Sequence, residues 1–141
     1  MKRYAVDAPT TLRVVELSLG VPPEIQLVGA ASLRSDVMRL LFARSLSGRL
    51  TPRQAKDLLD RVAGVKLRLL GDRVSRSVAW DLAEELDWHD PTDAEVLAVA
   101  RLQADSLVTG SARLVQAAGQ LHQPIDVTSP DALLARLVPD P

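Results

Sequence analysis

Arg3-Tyr4-Ala5-Val6-Asp7 is a short apolar run closed by an acid. So few residues suit a strand rather than a helix, and aspartate favours the turn that follows one. A helix is expected next, from about Thr10 to Leu19, closed by Gly20 and Pro22-Pro23. Working outward, the same alternation recurs. Ile25-Gln26-Leu27-Val28 reads as a second strand, and Ser32 to Arg44 as an amphipathic helix stopped at Gly48. Thr51-Pro52-Arg53-Gln54 has the form of an N-cap, a proline at the first helical position and a capping-box glutamine, for a helix ending at Val62. Val65 to Leu70 is a third strand, and Asp72 caps a helix with the apolar stripe Val74, Val78, Leu82 and Leu86. Asp90 and Pro91 open the next helix, with Val96, Leu97, Ala100 and Ala104 on one side. Ser106 to Thr109 is a fourth strand, Gly110-Ser111 turns into a helix with Leu114, Val115 and Ala118 inward, Ile125 to Val127 is a fifth strand, and Ser129-Pro130 starts a last helix through about Leu137.

Strands separated by helices argue for an α/β fold with a parallel sheet covered on both faces. Two helices between the second and third strands depart from strict alternation. The 141 residues form one domain by length, with 47% hydrophobic and 25% charged residues, a globular composition. No cysteine is present, which excludes disulfides, zinc thiolates and cysteine nucleophiles and fits a cytoplasmic location. The few apolar residues between Met1-Lys2-Arg3 and Asp7 make no signal-peptide core, and no uncharged apolar run approaches the roughly 20 residues of a membrane span. With 17 basic and 18 acidic residues the net charge is −1, so any nucleic-acid contact depends on the local field of a groove. Aromatics are 3% of the chain, too few for a base-stacking platform.

Three acids stand out. Asp7 ends the first strand, Asp36 falls among Leu33, Val37, Leu40 and Leu41, and Asp93 lies in the first turn of its helix. A carboxylate on an apolar face is costly unless compensated, and a shared divalent cation would compensate all three. Each has a plainer reading. Asp7 suits a turn, Asp36 has Arg34 and Arg39 within helical reach, and Asp93 is favoured by the exposed N–H groups of a helix start. Asp90 is assigned to a cap. Ser111 is a candidate N-cap as much as a site residue, and Glu95, one position off the proposed helix face, is read as solvated or paired. His89 and His122 have no metal-ligand spacing. Trp80 and Trp88 are assigned to packing, and Arg44, Arg49, Arg53 and Lys56 cluster on the helical pair, where a solvated face is the favoured reading and contact with phosphates the alternative.

The segments Tyr4-Ala-Val-Asp7-Ala8, Ser32-Leu-Arg-Ser-Asp36-Val37, Pro91-Thr-Asp93-Ala-Glu-Val-Leu-Ala-Val-Ala100 and Leu107-Val-Thr109-Gly-Ser111-Ala-Arg113-Leu114 in this order and spacing resemble the PIN-domain nucleases, in particular the VapC toxins of bacterial toxin–antitoxin pairs. The resemblance covers nearly the whole chain. It implies a three-layer α/β/α sandwich with a central, mostly parallel sheet of about five strands. It also implies Mg²⁺ or Mn²⁺ held by Asp7, Asp36 and Asp93, with hydrolysis of RNA phosphodiester bonds at that site. Thr10, Thr109 and Ser111 are then candidates for positioning water or phosphate. The implied partners are RNA, a small VapB-type antitoxin and a second copy of the chain. The chain departs from the family pattern at Asp36, where glutamate is usual, at Ser111, where many members carry a fourth acid, and at Pro9, where a small hydroxyl residue is common. These departures define a second expectation, a PIN-like binding protein with an incomplete metal site. A phospho-receiver domain, also α/β with clustered acids, would require a lysine near the end of the last strand, and the chain has none after Lys66.

Overall fold

The computed structural model describes residues 1–140. The elements are β1 (Lys2–Val6), α1 (Ala8–Glu16), β2 (Ile25–Ala30), α2 (Leu33–Leu46), α3 (Pro52–Val62), β3 (Leu67–Leu70), α4 (Arg73–Glu85), a 3₁₀ turn (Pro91–Ala94), α5 (Glu95–Gln103), β4 (Ser106–Val108), α6 (Ala112–Gln120), β5 (Val127–Thr128) and α7 (Pro130–Leu137). The five strands form one sheet in the order β3-β2-β1-β4-β5, and every pairing is parallel. The fold is therefore the expected three-layer α/β/α sandwich. Strand order reverses between β1 and β4, the place in such sheets where the loops after the strands diverge and leave a crevice.

The alternation of side chains along the strands divides the core in two. Tyr4 and Val6 of β1, Leu27 of β2 and Val108 of β4 face a layer made by α1, α2, α3 and α7, through Leu12, Val37, Ala55 and Leu133. Ala5, Val28 and Leu107 face the opposite way, onto α4, α5 and α6 through Leu82, Leu97 and Ala118. The strands are apolar on both faces because both faces are covered. Each fully buried leucine, such as Leu12, Leu97 or Leu133, contributes ~1.5–3 kcal/mol relative to exposure.

Helix starts follow their caps. Thr51 and Gln54 form the expected reciprocal pair, Gln54 N–H donating to Thr51 Oγ1 (3.1 Å) and Thr51 N–H to Gln54 Oε1 (2.9 Å). Asp72 and Ser129 cap α4 and α7. Gly48, at φ +79°, takes the left-handed conformation that ends α2. Several boundaries differ from expectation for local reasons. α1 begins at Ala8, not Thr10, because Asp7 caps it. β2 extends through Gly29 to Ala30, paired to β3 along the whole added length. β3 starts at Leu67 and β5 is only Val127–Thr128. The helix expected from Asp90 opens as a 3₁₀ turn before α5. Val74 and Val115, expected inward, are exposed, as is Trp80, 60% open and bonded through its indole N–H to Glu84.

The loop after β2 is held tightly against the end of β3. Ala31 N–H donates to Leu70 O at 2.8 Å, and a Cβ on Gly71 would lie 2.5 Å from the Ala31 Cβ, which has no rotamer with which to retreat. This approach sets where α2 begins. Gly71→Ala is expected to destabilise the protein by ~1–3 kcal/mol, the range for a forced overpacking, read as a lower urea midpoint at unchanged slope.

Candidate metal centre

Asp7 is where the sheet and the candidate site meet. It directly follows β1, is 9% exposed, and caps α1 by accepting from Thr10 N–H at 3.0 Å through Oδ1. Its other oxygen, Oδ2, accepts from the Thr109 hydroxyl at 2.6 Å. Thr109 follows β4, so this bond crosses the point where strand order reverses. The Thr109 hydroxyl also accepts from Ser111 N–H at 3.0 Å, which directs its own proton toward Asp7. Thr11 Oγ1 donates to Asp7 O (2.9 Å) and Thr10 Oγ1 to Val108 O (3.4 Å). The carboxylate is thus fixed by one donor from the first turn of α1 and one from the residue after β4.

Asp36 and Asp93 reach the same place from opposite layers. A cleft of about 520 Å³ is lined by Asp7 and Val6 after β1, Ser32, Asp36 and Arg39 from the start of α2, and Thr92, Asp93 and Glu95 from the turn before α5. Asp36 is not on a buried face. Its side chain is 39% exposed and pairs with Arg39 Nη1 at 3.2 Å, with Ser32 Oγ donating to its second oxygen at 3.1 Å. The reading of Asp36 as an apolar-face carboxylate is corrected accordingly: the flanking leucines point to the core and Asp36 to the cleft. Asp93 Oδ2 accepts from Arg113 Nη1 at 3.0 Å, and that guanidinium lies over the Trp88 ring, 4.0 Å from its centroid. Trp88 packs as expected and also supports the arginine that holds Asp93.

Glu95, expected to be solvated or paired, stands partly open to solvent and without an ion pair. It is half-buried on the cleft wall, and no hydrogen bond or ion pair of its side chain occurs among the described residues. Burial first, then the charge of Asp36, pushes its carboxyl above the usual range, with Asp90 adding to the effect and Arg76 opposing it.

The other nominated residues sit around Asp7, not in the cleft. Thr10 and Thr109 are buried and act on Asp7. Ser111 caps α6, its Oγ accepting from Leu114 N–H at 3.3 Å. Asp90 caps the 3₁₀ turn, and the hydroxyl and N–H of Thr92 hold its carboxyl below the usual range. His122 pairs with Glu85 through Nδ1 at 3.0 Å. Of the basic residues on the helical pair, Arg44 is bonded to Glu16 at 3.1 Å, and Arg53 and Lys56 lie among Asp57 and Asp60.

Among the described residues no group of three or more acids and histidines converges on a point that would hold a metal ion. The cause is visible in the bonding: Asp36 is turned to Arg39, Asp93 to Arg113, and Asp7 to two threonines. The donor chemistry still fits a hard cation, since the ionisable groups of the cleft other than Arg39 are all carboxylates and no sulfur or imidazole is among them.

No protein-family model matches the chain, and no curated protein matches it. Its structure is similar to the crystal structure of PAE2754 from Pyrobaculum aerophilum, with a TM-score of 0.71 at 19% identity, over 96% of this chain and 95% of that one. A likeness at that identity concerns the fold, and it extends over the whole three-layer sandwich.

Two outcomes follow from the bonding. Thr109→Val removes the donor to Asp7 and leaves Ser111 N–H without its acceptor, so a loss of ~1–3 kcal/mol is expected in denaturant melts, while Thr109→Ser retains most of the stability. Glu95 has its folded pKa raised, so its contribution is fully present below the unfolded value of 4.5 and is lost as pH rises through the folded value. In chelator, Glu95→Gln should therefore melt higher than the parent at pH 7, with the difference closing by pH 4; an equal offset at both pH values would contradict this.

Proposed function

We propose that the chain is a Mg²⁺- or Mn²⁺-dependent endoribonuclease, the toxin component of a VapBC-type toxin–antitoxin pair. The supporting observation is that Asp7, Asp36 and Asp93, drawn from three separate segments of sequence, line one cleft at the carboxyl ends of the central strands. That is where open α/β sheets bind ligands.

In this reading Asp7 is the fixed ligand, its geometry set by Thr10 and Thr109. Asp36 and Asp93 are the adjustable ligands, held by arginines that release them when a divalent cation competes. The bound cation supplies Lewis-acid stabilisation of phosphate charge and activation of water. Arg39, on the cleft wall, is then free to approach a substrate phosphate. The walls contributed by α2 and by the turn before α5 admit a single strand or loop of RNA and hold it over Asp7.

The exposed row Met38, Phe42 and Leu46 on α2 supports association through the helical pair, as a homodimer or with a VapB-type antitoxin. No helix among the described residues is long and apolar enough to cross a membrane, and the absence of cysteine suits the cytoplasmic setting of such a toxin. A second reading, a catalytically degenerate PIN-like binding protein, is favoured by one observation: Ser111 caps α6 and brings no charge to the place of the usual fourth acid.

Cleavage of a structured RNA pool with Mg²⁺ or Mn²⁺ tests the proposal. Asp7→Asn and Asp93→Asn should each reduce cleavage more than the ~10–100-fold that follows from loss of even an outer-shell partner. Equal cleavage by parent and variants would reveal a contaminating nuclease. No cleavage and no rise in Tm with metal would favour the degenerate binding protein. Light scattering at high micromolar concentration should show a dimer.

A further inference from the structure

We propose that the outward face of α2 is a two-fold interface between copies of this chain, in which two α2 helices cross antiparallel at Phe42. The proposal rests on the association named in the functional reading above and commits it to one occupant, one helix and one register.

Phe42 is the only phenylalanine of the chain and stands 65% exposed, between Met38 at 50% and Leu46 at 75%. The three are spaced four residues apart, so they form one continuous ridge along the helix. The core side of α2 is filled separately by Leu33, Val37 and Leu41. None of the three ridge residues lines the cleft. Asp36 lies about a third of a turn round the helix from Phe42, so the ridge runs beside the acids and leaves them open.

The pattern of the ridge points to a second copy. In a two-fold contact a residue some number of places before the axis meets the residue the same number of places after it. With Phe42 on the axis, Phe42 meets Phe42 of the partner subunit and Met38 meets Leu46 of the partner subunit, a pair of similar volume. Arg39 meets Ser45 of the partner subunit, and Arg44 meets Leu40 of the partner subunit, so no like charges face each other. The ridge is thus its own complement, with an aromatic at the centre, where interface anchors concentrate. Charge agrees with this choice. The two charged residues between Met38 and Leu46 are already paired within the chain, Arg39 with Asp36 at 3.2 Å and Arg44 with Glu16 at 3.1 Å. That leaves no uncompensated charge in this span to favour an acidic peptide or an anionic lipid surface over a neutral, apolar face. The net charge of −1 sets up little repulsion between copies. One helix crossing falls toward the lower end of specific interfaces, about 1,200 Å² in total, so the pair is reversible.

Sedimentation and oxidative cross-linking of the full chain test the proposal. The parent should show a monomer–dimer equilibrium, and Phe42→Arg, which sets two cations against each other on the axis, should weaken it by about 30-fold or more. Where both are monomeric, Phe42→Arg should melt with the parent, because Phe42 faces outward. The chain has no cysteine, so an introduced one reports alone. Phe42→Cys should form a disulfide-linked dimer under mild oxidation. Met38→Cys should not, because an antiparallel pair centred on Phe42 holds its two copies about 12 Å apart along the helix, beyond the ~7 Å limit of a disulfide. A parent that stays monomeric at high micromolar concentration overturns the proposal and leaves the ridge to a different partner. A dimer that survives Phe42→Arg overturns it and places the association on another surface. Linking of Met38→Cys as ready as that of Phe42→Cys overturns the antiparallel register. In each of these cases metal-dependent RNA cleavage by the parent keeps the nuclease reading standing.

Discussion

The hydrogen bond from Thr109 to Asp7 ties the centre of the sheet to the candidate site. It joins the ends of β1 and β4 at the one place where strand order reverses and the helical layers part. Besides it the two segments are tied by the strand pairing below, whose last pair is Val6 with Val108, and by the longer bond from Thr10 Oγ1 to Val108 O. With it, the carboxylate that caps α1 is also the deepest acid of the cleft. One side chain thus serves the local helix, the sheet and the site.

Four carboxylates line one cleft, and two arginines stand beside them: Arg39, three residues along the same helix as Asp36, and Arg113, braced on Trp88 opposite Asp93. Partly exposed pairs of this kind contribute ~0–1 kcal/mol each, so they hold the carboxylates apart without locking them. Glu95 makes no such ion pair; burial and the Asp36 charge raise its carboxyl, with Arg76 opposing and Asp90 adding to the effect.

The cleft depends on distant packing. Ala31 against Gly71 and the bond from Ala31 to Leu70 place the start of α2 at the ends of β2 and β3, so that Ser32, Asp36 and Arg39 face the cleft while Leu33, Val37 and Leu41 enter the core. The outer row of the same helix, Met38, Phe42 and Leu46, is left open to solvent. One helix therefore presents three faces, to the core, to the acids and outward, and its average hydrophobicity disguises all three.

Much of this architecture was readable along the chain. Thr51, Asp72, Asp90, Ser111 and Ser129 cap helices in the structure, because capping is a contact across three residues that local sequence specifies. The apolar runs at Tyr4, Leu27, Leu67 and Leu107 are strands for a similar reason: a strand covered on both faces is apolar throughout. The strand order, the partition of the helices between two faces and the meeting of Asp7, Asp36 and Asp93 at one cleft arise from contacts between residues far apart in the chain. So do the exposure of Trp80 and the position of Glu95. The last of these shows the reason most plainly. The chain enters α5 through a 3₁₀ turn at Pro91–Ala94 and Glu95, the first residue of α5, lines the cleft, a position that depends on where α2 and the end of β1 lie and so on contacts the local sequence does not contain.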